Sequence, residues 1–127
     1  MALNQRFYEA FRSRDTEALD GLLATEHPVS VVHPGWRALT GRDAVLASWS
    51  AIFRNPRAPE VHCEHPAVFL MGTFAMVICT ERLPEGALVA TNLYAKQSDG
   101  WRLTHHHAGP GEGVLSEPEE DSEVLFH

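Results

Sequence analysis

Close to Pro59 the spacing of apolar residues changes period, and this change constrains the fold more than any other feature of the chain. After it, Val61 to Met71, Phe74 to Leu83, Leu88 to Lys96 and Trp101 to Ala108 run at period two or as continuous apolar stretches, and read as four strands. Between them stand only Met71-Gly72, Pro84-Glu85-Gly86 and Ser98-Asp99-Gly100. Such connections are too short for a crossover, so consecutive antiparallel hairpins are expected. Before Pro59 the period is helical. Leu3, Phe7, Ala10 and Phe11 form one stripe, Ser13 to Asp15 interrupt it, and Ala18, Leu19, Leu22 and Leu23 form a second, with Asp15 placed as its N-cap. Val29 to His33 reads as a short strand stopped by Pro34-Gly35. A third helix is expected from Thr40, a capping-box-like start with Asp43 three residues on. Its apolar face is Ala44 or Val45, Trp49, Ile52 and Phe53. Helices first and a meander last predict an α+β fold: three N-terminal helices packed in the concave face of a strongly curved, mainly antiparallel sheet. Such a cone-shaped α+β barrel leaves a hollow, the natural ligand site.

The 127 residues suffice for one domain. It is expected over residues 1–110, followed by an acidic tail over 111–127. That tail carries Glu112, Glu117, Glu119, Glu120, Asp121 and Glu123 without Lys or Arg, and so supplies most of the net charge of -7. The tail reads as a solvated end, or as an arm whose Val124, Leu125 and Phe126 anchor on the body or on a neighbouring subunit. The nearly neutral body has no basic stripe, which argues against nucleic acid and against anionic membranes. Cys63 and Cys79 lie in apolar runs without CxxC spacing and read as reduced thiols. With no signal-peptide pattern and no long apolar run, a cytoplasmic domain is expected. There is no GxGxxG, phosphate loop or GxSxG elbow, and no cofactor is expected.

The chain resembles the nuclear transport factor 2-like superfamily in its SnoaL-like branch. The resemblance covers about residues 2–110. It is carried by Phe-Tyr-Glu-Ala-Phe at 7–11, Val-His-Pro-Gly within 31–35, Leu39-Thr40-Gly41-Arg42, Trp49 and Thr91-Asn92-Leu93-Tyr94. Most specific is Gly-Trp-Arg-Leu-Thr-His-His-His-Ala-Gly-Pro at 100–110. The chain is also similar to the association domain of calcium/calmodulin-dependent protein kinase II, at Arg54-Asn55, Leu70-Met71-Gly72 and the final His-x-His. The resemblance implies a cone-shaped pocket and a homodimer formed through the outer sheet face. It implies no single reaction, because the fold hosts isomerases, hydrolases, dehydratases, cyclases and plain binding domains. In the kinase association domain, arginines line the pocket at the positions of Asn92 and Ala108. Transferring that parity turns His106 inward, and the neutral residues here speak against anion binding.

Alternation puts Leu103, His105 and His107 on one face of the last strand and Thr104, His106 and Ala108 on the other; a bulge near the rim would change that parity. His33, His105, His106 and His107 are therefore the candidate catalytic bases, since an imidazole can exchange a proton near pH 7. A metal would need a third ligand from His33, His62, His65 or Glu64, and no spacing selects one, so no metal is expected. Asn92 and Tyr94 share a face, and a buried Asn must bond something. They join Tyr8, His33, Trp36, Trp49, Phe53, His105, His106 and His107 as candidate ligand-binding residues. Trp36 is placed to cap the mouth, and Trp49 to form an apolar wall.

Two functions follow. The first is a homodimeric binding protein with an apolar, near-neutral pocket for a small apolar organic ligand. The alternative is a small lyase or isomerase of polyketide-cyclase or ketosteroid-isomerase type, with a pocket His as general base and Tyr or Asn groups on an oxyanion. No Asp lies inside a strand, and the facing of Glu60, Glu64 and Glu81 is open at this level. A carboxylate and an imidazole converging in an apolar cavity would favour the enzyme.

Overall fold

The computed structural model describes residues 1–112. Gly111 and Glu112 are thus all of the acidic segment 111–127 that is seen. The anchor expected at Val124, Leu125 and Phe126 lies outside the described residues.

Helix α1 (Ala2–Ser13) buries Leu3, Asn4, Phe7, Tyr8 and Ala10, one face at helical spacing with a polar residue set into it. α2 (Thr16–Leu22) begins at Asp15, whose side chain accepts from the Ala18 N–H at 2.9 Å. α3 (Arg42–Arg54) buries Val45, Ser48, Trp49 and Phe53. Its start corrects the expectation at Thr40. That residue belongs to a two-residue strand, β2 (Leu39–Thr40), and the N-cap is Gly41 at φ 95°, a conformation that favours glycine. No side chain caps α3. Two arginines lock the helices in place. Arg42 donates to the Leu23 and Ala24 carbonyls at the end of α2, and Arg14 donates to the carbonyls of Phe53, Asn55 and Ala58, holding the loop beyond α3.

The strands β1 (Ser30–Val32), β3 (His62–Met71), β4 (Phe74–Leu83), β5 (Gly86–Gln97) and β6 (Gly100–Pro110) join β2 in one six-stranded sheet of order β2-β1-β6-β5-β4-β3. β3 to β6 form three antiparallel hairpins with two-residue connections, as the punctuation predicts. β1 pairs parallel to β6. The sheet is curled and not closed, with β2 and β3 as its edges. Among the described residues no helix is long and apolar enough to cross a membrane.

Two features of the sheet position the site. On β6 the register shifts between Leu93/Tyr94 and their partners His105/Leu103, which leaves Thr104 as the extra residue of a bulge. Strict alternation would put Leu103 and His106 on opposite faces; the bulge brings both into the interior, each 2% exposed. The second feature is a rung of small residues. Cys79, Ala90 and Ala108 stand side by side across β4, β5 and β6, between the rung Val77-Asn92-His106 and the rung Glu81-Leu88-Pro110. Long side chains on either side can meet over that low rung.

Candidate functional site

Glu81 and His106 do meet there. Glu81 Oε2 lies 3.6 Å from His106 Nε2, and both side chains are buried. The Tyr8 hydroxyl, brought down from α1, donates to the same Oε2 at 2.7 Å. No protein hydrogen bond falls on Oε1 among the described residues. Burial pushes the Glu81 carboxyl up to about 7, against the opposing pull of the Tyr8 hydrogen bond. Burial pushes His106 down to about 3, so the imidazole is neutral and the carboxyl is the group that titrates near neutrality. Burial also raises the Tyr8 phenol well above its ordinary value, with the Glu81 charge adding to it.

Hydrogen-bond bookkeeping fixes where the protons sit. Asn92 Nδ2 donates to Asn4 Oδ1 at 3.0 Å and to the Tyr8 hydroxyl at 3.1 Å, so Asn92 Oδ1 is an acceptor. It lies 2.5 Å from His106 Nδ1. His106 must therefore carry its proton on Nδ1 and present the Nε2 lone pair to Glu81. Tyr94 donates to Asn4 Oδ1 at 2.7 Å, and Asn4 Nδ2 reaches Cys63 Sγ at 3.5 Å. Cys79 Sγ is 3.3 Å from the Tyr8 hydroxyl. The thiols of Cys63 and Cys79 share a hydrogen bond that pushes Cys63 down and Cys79 up. Tyr8 accepts from Asn92 and spends its own proton on Glu81.

This cluster forms one wall of a cavity of about 410 Å³ between α3 and the sheet, a size suited to a small organic molecule. Glu81, His106, His33 and Trp49 reach it from inside, Phe11, Val61, Leu83 and Leu88 make it apolar, and Trp36, Asn55 and Arg57 stand with them along the lining. His33 donates from Nε2 to Ser48 Oγ at 2.9 Å, because Ser48 gives its single proton to the Val45 carbonyl at 2.7 Å. Burial pushes His33 down to about 4, so it too is neutral. Its ring meets Trp49 edge to face at 4.6 Å and Trp36 at 4.8 Å. Trp49 is 1% exposed, and its Nε1–H has no hydrogen-bond partner among the described residues.

The sequence candidates thus divide. His33, Trp36, Trp49 and His106 line the cavity, Trp36 being 47% exposed. Tyr8, Asn92 and Tyr94 lie in the network behind it. Phe53 packs on Phe11 and borders a separate small hollow. The bulge turns His105 and His107 to the outer face. There His105 Nδ1 contacts Ser30 Oγ at 2.6 Å, and His107 is exposed. Among the described residues no three His, Cys, Asp or Glu side chains are grouped to hold a metal ion. Sequence reasoning left Glu81 open and did not find Asn4 or Ser48. The parity Ala75-Val77-Cys79-Glu81 was available as a signal, but Met76 and Ile78 make the other face of β4 apolar too.

Comparison with known proteins gives the family and the fold. A SnoaL-like domain model matches residues 1–110. A candidate dehydratase of the NTF2-like family from Streptomyces avermitilis is 33% identical over 87% of this chain and 92% of its own, with a TM-score of 0.80. A candidate calcium/calmodulin-dependent protein kinase type II association domain from Thiobacillus denitrificans is 29% identical over 87% and 93%, with a TM-score of 0.78. A candidate ketosteroid isomerase from Parabacteroides distasonis shares the fold at 17% identity over 87% and 84%, with a TM-score of 0.67. No curated protein matches the chain. With the family model spanning the whole helix-and-sheet unit, the chain belongs to the SnoaL-like domain family.

Proposed function

We propose that this protein is a small acid–base enzyme, an isomerase or dehydratase acting on a neutral, carbonyl-bearing ring compound, with Glu81 as the proton carrier. The observation that carries the reading is the Glu81–His106 contact at 3.6 Å on the wall of a cavity lined mainly by apolar residues. A binding pocket alone gains nothing from a buried carboxyl held near pH 7, whereas proton transfer works best with such a group. The similarity to a candidate dehydratase agrees with this.

In the proposed reaction the Glu81 carboxylate removes a proton from a carbon next to the carbonyl, and the electron pair moves onto the carbonyl oxygen. The resulting enolate has two exits. Glu81 returns the proton to a different carbon, which shifts a double bond, or the enolate expels a β-hydroxyl that leaves as water with the Glu81 proton. Tyr8 steadies the charged carboxylate. The His106 lone pair faces the carboxyl at 3.6 Å, where a small side-chain shift makes it the acceptor for the protonated acid.

We also propose that the protein works as a homodimer in the cytoplasm. The outer face of the sheet supports the dimer: Phe69, Met76 and Leu93 form a cross-strand apolar row there, with Ile78 next to it on β4. The test of the enzyme reading is α-proton exchange in D2O, followed by NMR on a panel of cyclic ketones and β-hydroxyketones. Deuterium uptake or loss of water, reduced at least about a hundredfold in Glu81→Gln, is expected. Equal rates in the variant would rule out Glu81 as the proton carrier.

A further inference from the structure

One acceptor on the cavity lining has no donor assigned to it. His33 Nε2–H is committed to Ser48, whose own proton is committed to Val45, so the His33 Nδ1 lone pair is left over. Nothing in the described residues donates to it. The residue is only 2% exposed, on the cavity lining, between the rings of Trp36 and Trp49. Glu81 Oε1 is likewise without a donor. Neither atom is sealed: both residues face the cavity, so a donor held there can reach them. The Trp49 Nε1–H is sealed from solvent and does not serve.

We propose that His33 Nδ1 is the acceptor for a hydroxyl of the ligand, and that the site therefore selects a hydroxylated ring over its ether or hydrocarbon analogue. This rests on the reading of the cavity as a small-ring site and adds a specificity-determining residue to it. Ser48 is a positioning residue: by taking the Nε2 proton it fixes the tautomer that keeps Nδ1 free to accept. His33 and Glu81 mark two separate points on the ring, one where it is held and one where it reacts.

The test uses 2-naphthol, 2-methoxynaphthalene and naphthalene, with binding measured by calorimetry on the full chain. One neutral hydrogen bond changes affinity by roughly three- to tenfold. Wild type is expected to favour 2-naphthol over the methyl ether by that factor. His33→Phe should remove the preference of 2-naphthol over its methyl ether, and an unchanged near-UV circular dichroism spectrum shows that the fold is intact. Glu81→Gln should retain the preference. In 15N NMR, His33 should show an unprotonated Nδ1 whose resonance moves when 2-naphthol binds. A preference that survives His33→Phe, or that vanishes in Glu81→Gln alone, overturns the proposal. Failure of all three naphthalenes to bind overturns it together with the small-ring reading. A naphthol preference without α-proton exchange on any ketone supports His33 and refutes Glu81 as base, so the two failures are distinct.

Discussion

Under α1, the space between helices and sheet is filled by Asn4, Tyr8, Asn92 and Tyr94, whose side chains satisfy one another. Under α3 the same space is open, and among the described residues the hydrogen bonds of His33 and Glu81 fall on Nε2 and Oε2, which leaves His33 Nδ1 and Glu81 Oε1 to the cavity. Both regions are polar groups in an apolar shell. The first is closed on itself and fixes geometry; the second is left incomplete where a molecule fits. Only Tyr8 and His106 belong to both: Tyr8 bonds Asn92 and Cys79 in the scaffold, His106 bonds Asn92, and each also contacts Glu81. The closed network thus holds the open one in register.

Breaking the scaffold should cost most. Asn92→Ala removes the partner of Asn4, Tyr8 and His106 at once, and should lower stability by roughly 3–4 kcal/mol in urea unfolding. A loss below about 1 kcal/mol would mean that the network does not hold the fold together.

The next effect is sharper, because it changes with pH. The Glu81 carboxyl is raised to about 7 from an ordinary 4.5. The stability it contributes is therefore fully present below about pH 4.5 and lost as pH rises through about 7. Glu81→Gln cannot ionise and escapes this loss. Relative to wild type it should gain roughly 2–3 kcal/mol between acid and neutral pH. His33 and His106 act with the opposite sign. Their values of about 4 and about 3 lie below the ordinary 6.5, so their contribution is present above that value and lost on acidification through about 4 and 3. Thermal unfolding across the pH range separates the two limbs.

The smallest effect contrasts the faces of β6. His107→Ala, on the exposed outer side, should change monomer stability by less than about 0.5 kcal/mol and leave any cavity ligand bound as before. A large loss would place His107 in the core and contradict the bulge at Thr104.

These contrasts also explain what was legible in the sequence. Periods of 3.6 and 2 separate helices from strands because each element shows one face to the core, and the short Gly-containing punctuation leaves hairpins as the natural connection. The cap of α3 was misread because Gly41 takes a positive φ that no side-chain pattern announces. The inward histidine was not decidable from alternation alone, since a bulge is one unpaired residue without a chemical signature; the transferred parity of Asn92 and Ala108 turned His106 inward. Glu81 stayed undecided because β4 is apolar on both faces, its outer residues Met76 and Ile78 being as hydrophobic as its inner ones. Asn4 sits on a helical stripe that reads as ordinary core.

The most direct test of the account is a 13C NMR titration of the Glu81 carboxyl, followed together with the His106 ring nitrogens. A carboxyl midpoint near 7 is expected, with His106 staying neutral and protonated on Nδ1 throughout the transition. A carboxyl midpoint at its ordinary 4.5, or a doubly protonated His106 paired with an ionised Glu81 at neutral pH, would contradict it.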